Sequence, residues 1–325
     1  MTRARQGGNV SIMSRIDRTP ARVFHSGDRG EPPRRYVVAG HDVTAPKLAP
    51  GLHLVATPIG NLGDVTLRAL ESLAGADVIA CEDTRVTTKL TTRYGISTPL
   101  TPYHDHNAAA ARPKLLRRLA DGAAVVLVSD AGTPLVSDPG YKLVRAAIEH
   151  GHAVTALPGP SSLLAAMMVA GLPSDRFLFD GYLPGKVGQR RARIAELAGI
   201  PATLVLFETG PRLSDALADL ADRLGARDAS ICRELTKLHE EVRRGDLVTL
   251  AAEAAQSAPP PGEIVIVVAP PATDQDRASP DEVEALLRNA LARTSVREAV
   301  AEVAAVARLP RRDVYRRALA LKDGP

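Results

Sequence analysis

S-D-A-G-T-P-L-V-S-D-P-G-Y, residues 129–141, follows directly on the aliphatic run 123–128. A run of that length reads as a buried strand, and a turn so rich in Gly, Pro, Ser and Asp reads as the loop at its carboxyl end. In open α/β sheets, ligands bind at that end of the strands. Gly132 lets the backbone approach a ligand closely, Pro134 and Pro139 fix its course, and Ser129, Asp130, Thr133, Ser137 and Asp138 offer oxygens. A simple turn needs two or three such residues, so a whole loop of them marks a binding site.

The pattern extends on both sides. Runs at 52–56, 77–81 and 152–157 join 123–128, with amphipathic stretches at 65–73, 108–120 and 142–150 between them. This alternation predicts an α/β domain over 51–172 with parallel strands and right-handed crossovers. Beyond Pro173, strand-like runs at 203–207, 229–232 and 264–268 alternate less regularly with helical stretches at 189–197 and 211–224. They predict a second α/β domain over 173–272 with a mixed sheet, to which 246–251 adds an edge strand. Residues 280–325 read as a helical tail. There Ser295 and Glu298 form a capping box, Pro310 opens the last helix, and Arg308, Arg311, Arg312, Arg316 and Arg317 make a basic end resembling a helix-turn-helix. Residues 1–50, rich in Arg, Gly and Pro and without a sustained period, are expected to be a disordered basic arm.

Composition narrows the classes. At 325 residues, 45% hydrophobic and 24% charged, the chain resembles an ordinary soluble protein of about two domains. No uninterrupted apolar segment reaches ~18 residues, so a membrane partner is not expected. Cys81 and Cys232 stand alone in apolar runs, which predicts buried free thiols in a reducing cytoplasm. Residues 1–50 carry nine Lys/Arg against four Asp/Glu and residues 295–325 seven against four, while the whole chain is only +4, so the body between them is net acidic. A polyanion would therefore be met by local patches rather than by a general positive field.

Further strand ends carry unusual loops. T-P-I-G-N-L-G-D (57–64), C-E-D-T-R (81–85) and L-P-G-P-S-S (157–162) follow the other three strands of the first domain. None is G-x-G-x-x-G, and no G-x-x-x-x-G-K-[ST] occurs, which argues against dinucleotide and P-loop sites. Y-H-D-H-N (103–107) lacks a third ligand at metal-binding spacing, so no metal is expected and a hydrogen-bonded lid loop is favoured. F-E-T-G-P-R (207–212) and R-E-L-T-K-L-H-E-E (233–241) add charges at strand ends of the second domain.

Taken in order, these motifs strongly resemble the small-subunit ribosomal RNA methyltransferases of the tetrapyrrole methylase superfamily, over about 52–268 and with a similar helical tail. The resemblance implies two α/β domains with the cofactor cleft between them, a small C-terminal helical domain, and a homodimer. It implies methylation, with S-adenosylmethionine, of the ribose 2′-oxygen of a decoding-site cytidine of 16S rRNA in the small ribosomal subunit, with no DNA partner. Carried over by residue, Ile59, Gly60, Asp130, Gly132, Thr133, Pro134, Leu135, Val136, Pro158, Gly159, Ser161 and Ser162, with Phe207 and Glu208, would hold the cofactor. One loop departs from the usual Glu, small residue, Pro, His or Arg, then Arg: Thr209, Gly210 and Pro211 stand between Glu208 and Arg212.

Strand-end position makes Glu82 or Asp83 the candidate base for the hydroxyl proton, with Arg85, Lys237 or Asn61 orienting ribose or phosphate. Two other functions compete. A corrin or porphyrin methyltransferase would use the same cleft, but the basic tail and the C-E-D-T-R and Y-H-D-H-N loops favour RNA. A noncatalytic RNA-binding protein would keep a degenerate cleft, against which the intact Gly and Pro spacing argues.

Overall fold

The computed structural model describes residues 34–272, 280–307 and 311–322; most of the expected N-terminal arm and the expected role of Pro310 lie outside them. The arm's last part is not disordered. β1 (Arg34–Val38) and β2 (His41–Ala45) form an antiparallel hairpin. Ala39 and Gly40 both have positive φ, the backbone of a tight two-residue turn. Tyr36 and Ala45 are buried against α1 (Leu67–Gly75), and Arg34 Nη2 donates to Asp77 Oδ1 at 3.0 Å. Alternation over so few residues is easily missed in a basic, Pro-rich stretch.

The first sheet is wholly parallel, as expected. It comprises β3 (Gly51–Val55), β4 (Val78–Cys81), β5 (Leu100–Pro102), β6 (Ala124–Val128) and β7 (Val154–Leu157), in the order β5-β4-β6-β3-β7. Period-2 alternation divides its side chains between two layers. Val55, Ile79, Cys81, Val126 and Val128 pack on the side of α1 and α2 (Thr84–Arg93). Leu52, Val78, Ala80, Val125 and Leu127 pack on the side of α3 (Ala108–Ala120) and α4 (Tyr141–Glu149). Because every strand runs the same way, the loops after β3, β4, β6 and β7 share one edge.

After β7 the chain enters α5 (Ser162–Ala170), which is N-capped by Ser161. The helix packs on the second sheet, not the first: Ala166, Met167 and Ala170 lie among Val205, Cys232, Val265 and Val267. That sheet has the order β11-β10-β12-β9-β8 and contains β8 (Phe177–Tyr182), β9 (Thr203–Thr209), β10 (Asp228–Arg233), β11 (Glu241–Asp246) and β12 (Glu263–Val268). It is mixed, with only β8 and β9 parallel.

The expected edge strand at 246–251 is instead the start of a helix. Asp246 caps it, accepting from the Thr249 N–H at 2.9 Å, and Leu247 and Leu250 are buried at helical spacing in α8 (Leu247–Ala255). The edge strand is the polar segment just before it, β11.

The other face of this sheet is covered by α6 (Val187–Leu197), α7 (Gly210–Leu224) and α8. Asp219 of α7 is buried and accepts from Arg190 Nε and Arg191 Nε of α6, each at 2.6 Å. Cys81 and Cys232 are buried free thiols, and burial pushes Cys232 up to about 11. The tail helices α9 (Pro280–Leu291), α10 (Val296–Val306) and α11 (Arg311–Lys322) share their own apolar core, and the expected Ser295–Glu298 capping box is present. Among the described residues, no helix is long and apolar enough to cross a membrane.

Candidate functional site

The four loops at the first sheet's carboxyl edge are bound to one another. Thr57 and Gly132 exchange backbone hydrogen bonds at 2.9 and 3.0 Å, and the Thr57 hydroxyl donates to the Ser129 carbonyl at 3.2 Å. The Thr133 hydroxyl donates to the Pro160 carbonyl at 3.1 Å, and the Asp83 N–H donates to Asp130 Oδ1 at 2.9 Å. These bonds hold the edges of a cleft of about 180 Å3, lined on one side by Ile59, Asp130, Gly132, Thr133, Val136, Ser161 and Ser162. Phe207, Tyr182, Glu263 and Val265 of the second sheet line the other side. One water needs only ~10–15 Å3, so the cleft takes an organic molecule rather than a lone ion.

Backbone conformation keeps its floor open. Gly132, Leu135, Ser137 and Gly140 all have positive φ, an unusual run for L-residues. The twist at Leu135 turns that side chain back toward Leu127 and the core, so Leu135 supports the cleft from beneath and does not line it. A Cβ at Gly140 would stand 2.5 Å from Leu135 Cδ2 and 2.8 Å from Leu127 Cδ2, at φ +137°. Gly140→Ala is accordingly expected to displace the loop and weaken cofactor binding at least tenfold, measured by calorimetric titration. Unchanged affinity would show that the loop tolerates a different course.

Of the residues expected to hold a cofactor, the cleft brings together Ile59, Asp130, Gly132, Thr133, Val136, Ser161, Ser162 and Phe207. Pro134, Pro158 and Gly159 stand in the same loops but do not line the cleft; a Cβ at Gly159 would lie 3.0 Å from Ala56 Cβ. Gly60 lies under Lys237, where a Cβ would meet Lys237 Cγ at 2.3 Å. Strand alternation separates the neighbours Phe207 and Glu208. Phe207 faces the cleft, whereas Glu208 is 1% exposed on the opposite face, with Arg212 Nε 3.3 Å from its Oε1 and its Oε2 unpartnered. Arg212 Nη2 in turn donates to the Leu183 carbonyl, next to Tyr182. The departing F-E-T-G-P-R loop thus braces the cleft wall from behind.

The wall also contains residues that local patterns did not reveal. A bulge between Phe179 and Gly181 adds one residue to β8, and this puts Tyr182 on the same face as Phe179. The Tyr182 and Phe179 rings meet Phe207 edge-on, at centroid distances of 5.6 and 4.8 Å. Asp138 also lines the cleft; burial first, then the charges of Asp130 and Glu263, raise its carboxyl to about 6 against a hydrogen bond from Ser129. Unlike Tyr182, it is one of the five oxygen-bearing residues expected of the loop at 129–141.

The proposed base candidates separate clearly. Asp83 is pinned by Arg85, whose Nη2 stands 2.6 Å from Oδ2, and it caps α2 through the Arg85 N–H at 2.8 Å. Those contacts hold it down to about 2. Glu82 is pushed the other way, by burial first and then by Asp130, Asp138 and Asp105. Lys237 is held by Glu234 and Glu263 at 2.9 and 3.0 Å, and Asn61 caps the turn at Gly63. His104 and His106 rings lie 6.1 Å apart. Among the described residues, no group of three or more His, Cys, Asp or Glu is arranged to hold a metal ion.

Residues 51–251 match the model of the Tetrapyrrole (Corrin/Porphyrin) Methylases, and residues 277–322 match the RsmI C-terminal HTH domain. Proteins named ribosomal RNA small subunit methyltransferase I are 50% identical to this chain. The one from Mesorhizobium japonicum aligns over 88% of this chain and 97% of its own length, and the one from Erythrobacter litoralis over 87% and 99%. The chain belongs to the tetrapyrrole methylase family, in its ribosomal RNA small subunit methyltransferase I group. Solved structures of the methyltransferase CobJ (TM-score 0.52, 21% identity, covering 71% of this chain and 97% of that one) and of the cobalt precorrin-4 methyltransferase CbiF (0.52, 17%, 67% and 94%) share the fold.

A tetrapyrrole methylase takes its methyl group from S-adenosylmethionine, and the cleft of this one suits that cofactor. Ile59, Val136, Phe207 and Val265 offer an apolar wall, Asp130 and Asp138 face a cationic ligand with carboxylates, and Ser161, Ser162 and Thr133 supply hydroxyls. The left-handed backbone at Gly132 and Ser137 gives the close approach that such a ligand needs.

Proposed function

We propose that this chain methylates the ribose 2′-oxygen of a decoding-site cytidine in 16S rRNA of the small ribosomal subunit, acting in the cytoplasm as a homodimer. Identity of 50% over most of the chain to named small-subunit rRNA methyltransferases carries this reading. The choice of a ribose hydroxyl rests on the resemblance of the ordered strand-end motifs, and Glu82 is the residue proposed to serve it. When bound, S-adenosylmethionine supplies an activated methyl, whose C–S bond breaks as the O–C bond forms.

The protein's part is alignment and proton removal. The cleft residues Asp130, Thr133, Ser161 and Phe207 hold the cofactor, while Pro134, Leu135, Pro158, Gly159 and Gly60 fix the loops. Glu208 supports through Arg212. The Glu82 carboxylate takes the proton of the 2′-hydroxyl, and its raised affinity for that proton suits it to the task better than Asp83. Arg85, Lys237 and Asn61 orient ribose or phosphate from the rim.

The test is transfer of labelled methyl from S-adenosylmethionine to small ribosomal subunits from a strain lacking the modification, followed by mapping of the modified nucleotide. Label on the 2′-oxygen of one decoding-site cytidine supports the proposal. Label on a base, or only on a corrin or porphyrin offered in parallel, overturns it.

A further inference from the structure

Helix α2 connects the cleft to an exposed row of cations. Arg85, Lys89 and Arg93 recur every four residues and all are exposed, while Thr87, Leu90 and Thr91 are buried on the opposite side. At ~1.5 Å rise per residue, neighbours in the row are ~6 Å apart along the axis and the row spans ~12 Å. Arg85 is paired with Asp83. Among the described residues, Lys89 and Arg93 have no carboxylate at ion-pair distance; Asp83 acts on Lys89 only through longer-range attraction. No acidic side chain occurs in the helix itself.

Both ends of this helix are fastened to cleft loops. At its start, the Asp83 N–H donates to Asp130, a residue of the cleft wall, directly after Glu82. At its end, the Tyr94 hydroxyl donates to the Leu62 carbonyl at 2.7 Å, within the loop that carries Ile59 and Gly60. The cations therefore hold fixed positions relative to the cleft and lead away from it in single file.

We propose that Arg85, Lys89 and Arg93 form the track on which successive phosphates of the substrate RNA lie as the strand enters the cleft. This rests on the RNA reading above and adds to it a specific path. A single strand is the fitting partner, because one narrow row of cations follows one backbone and a nucleotide offered to Glu82 must be free of its stack. Free Lys and Arg on such a path bind phosphate with release of counterions, so their contribution is sensitive to salt.

The experiment is steady-state methyl transfer to small ribosomal subunits by the full chain carrying Lys89→Gln and Arg93→Gln together, at several salt concentrations. Both side chains are exposed, and a thermal melt matching the parent confirms folding. The expected result is an RNA KM raised about tenfold with kcat at saturating RNA within about twofold of the parent, and a log KM against log salt slope lower by about 1.4. Lys114→Gln with Arg117→Gln removes the same charge from α3, on the other layer of the first sheet, and is expected to leave KM unchanged. An unchanged KM and slope in the α2 variant, or an equal rise in the α3 variant, overturns the track while leaving the RNA function standing. A parent that methylates no RNA overturns both.

Discussion

Glu82→Gln lowers kcat for RNA methylation by about 10²–10⁴, the usual contribution of a positioned general base, with little change in the KM for either substrate. The substitution keeps the side chain's shape and its ability to hydrogen-bond but cannot accept the proton. Asp83→Asn has a much smaller effect, because Asp83 is committed to Arg85 and to the first turn of α2. The sign of the pH dependence follows from the surroundings. Burial and the nearby Asp130, Asp138 and Asp105 favour the protonated Glu82, so activity is lost as pH falls through a value above the ordinary ~4.3 of a glutamate. Single-turnover rates across pH, in parent and variant, measure this limb. Full turnover by Glu82→Gln at saturating RNA removes Glu82 from the role.

Asp219→Ala has the largest expected effect on stability. Its carboxylate is 3% exposed and receives Arg190, itself 4% exposed, together with Arg191. Removing Asp219 leaves the buried Arg190 only the exposed Asp215, whose Oδ2 is 4.0 Å from its Nη2, and breaking a buried pair in this way costs about 3–5 kcal/mol. At about 2–4 °C per kcal/mol for a protein of this class, the melting temperature falls by about 6–20 °C. Burial alone would raise the Asp219 carboxyl, but hydrogen bonds from Arg191 and Arg190 outweigh it and hold the group below its usual range. A carboxyl depressed in the folded state stabilises the fold above its unfolded value of ~3.9, and that stabilisation disappears as pH falls through the folded value. The gap between the thermal melts of parent and variant should therefore be full at pH 7 and begin to narrow as pH falls below ~3.9. A gap that stays constant with pH would mean that the loss is one of packing.

Four strands of the first sheet were legible because they are continuous apolar runs and their loops are concentrated in Gly, Pro and polar residues, both of them local signals; the fifth, β5, is only Leu-Thr-Pro and gives no such run. Three further features were not legible. The hairpin at Arg34–Ala45 rests on packing against α1 from more than twenty residues away, and its basic sequence resembles an arm. The segment 246–251, D-L-V-T-L-A, is a short and largely apolar run, yet the cap that Asp246 makes by accepting from the Thr249 N–H decides for a helix. In the site, resemblance carried Phe207 and Glu208 together, although strand pleat sends them to opposite faces. Tyr182 and Glu263 enter the cleft through a bulge and a strand pairing, and neither is visible in a linear motif.

The crossing of α5 from the first sheet to the second has a consequence for how the molecule can be divided. A cut near residue 172 would give an amino-terminal fragment ending in a naked apolar helix and a carboxyl-terminal fragment with Val205, Cys232, Val265 and Val267 open to water. Each piece would need the other as a chaperone. Swapping the carboxyl-terminal half between relatives would succeed only if the join were made before Ser161, so that this helix travelled with the sheet it covers.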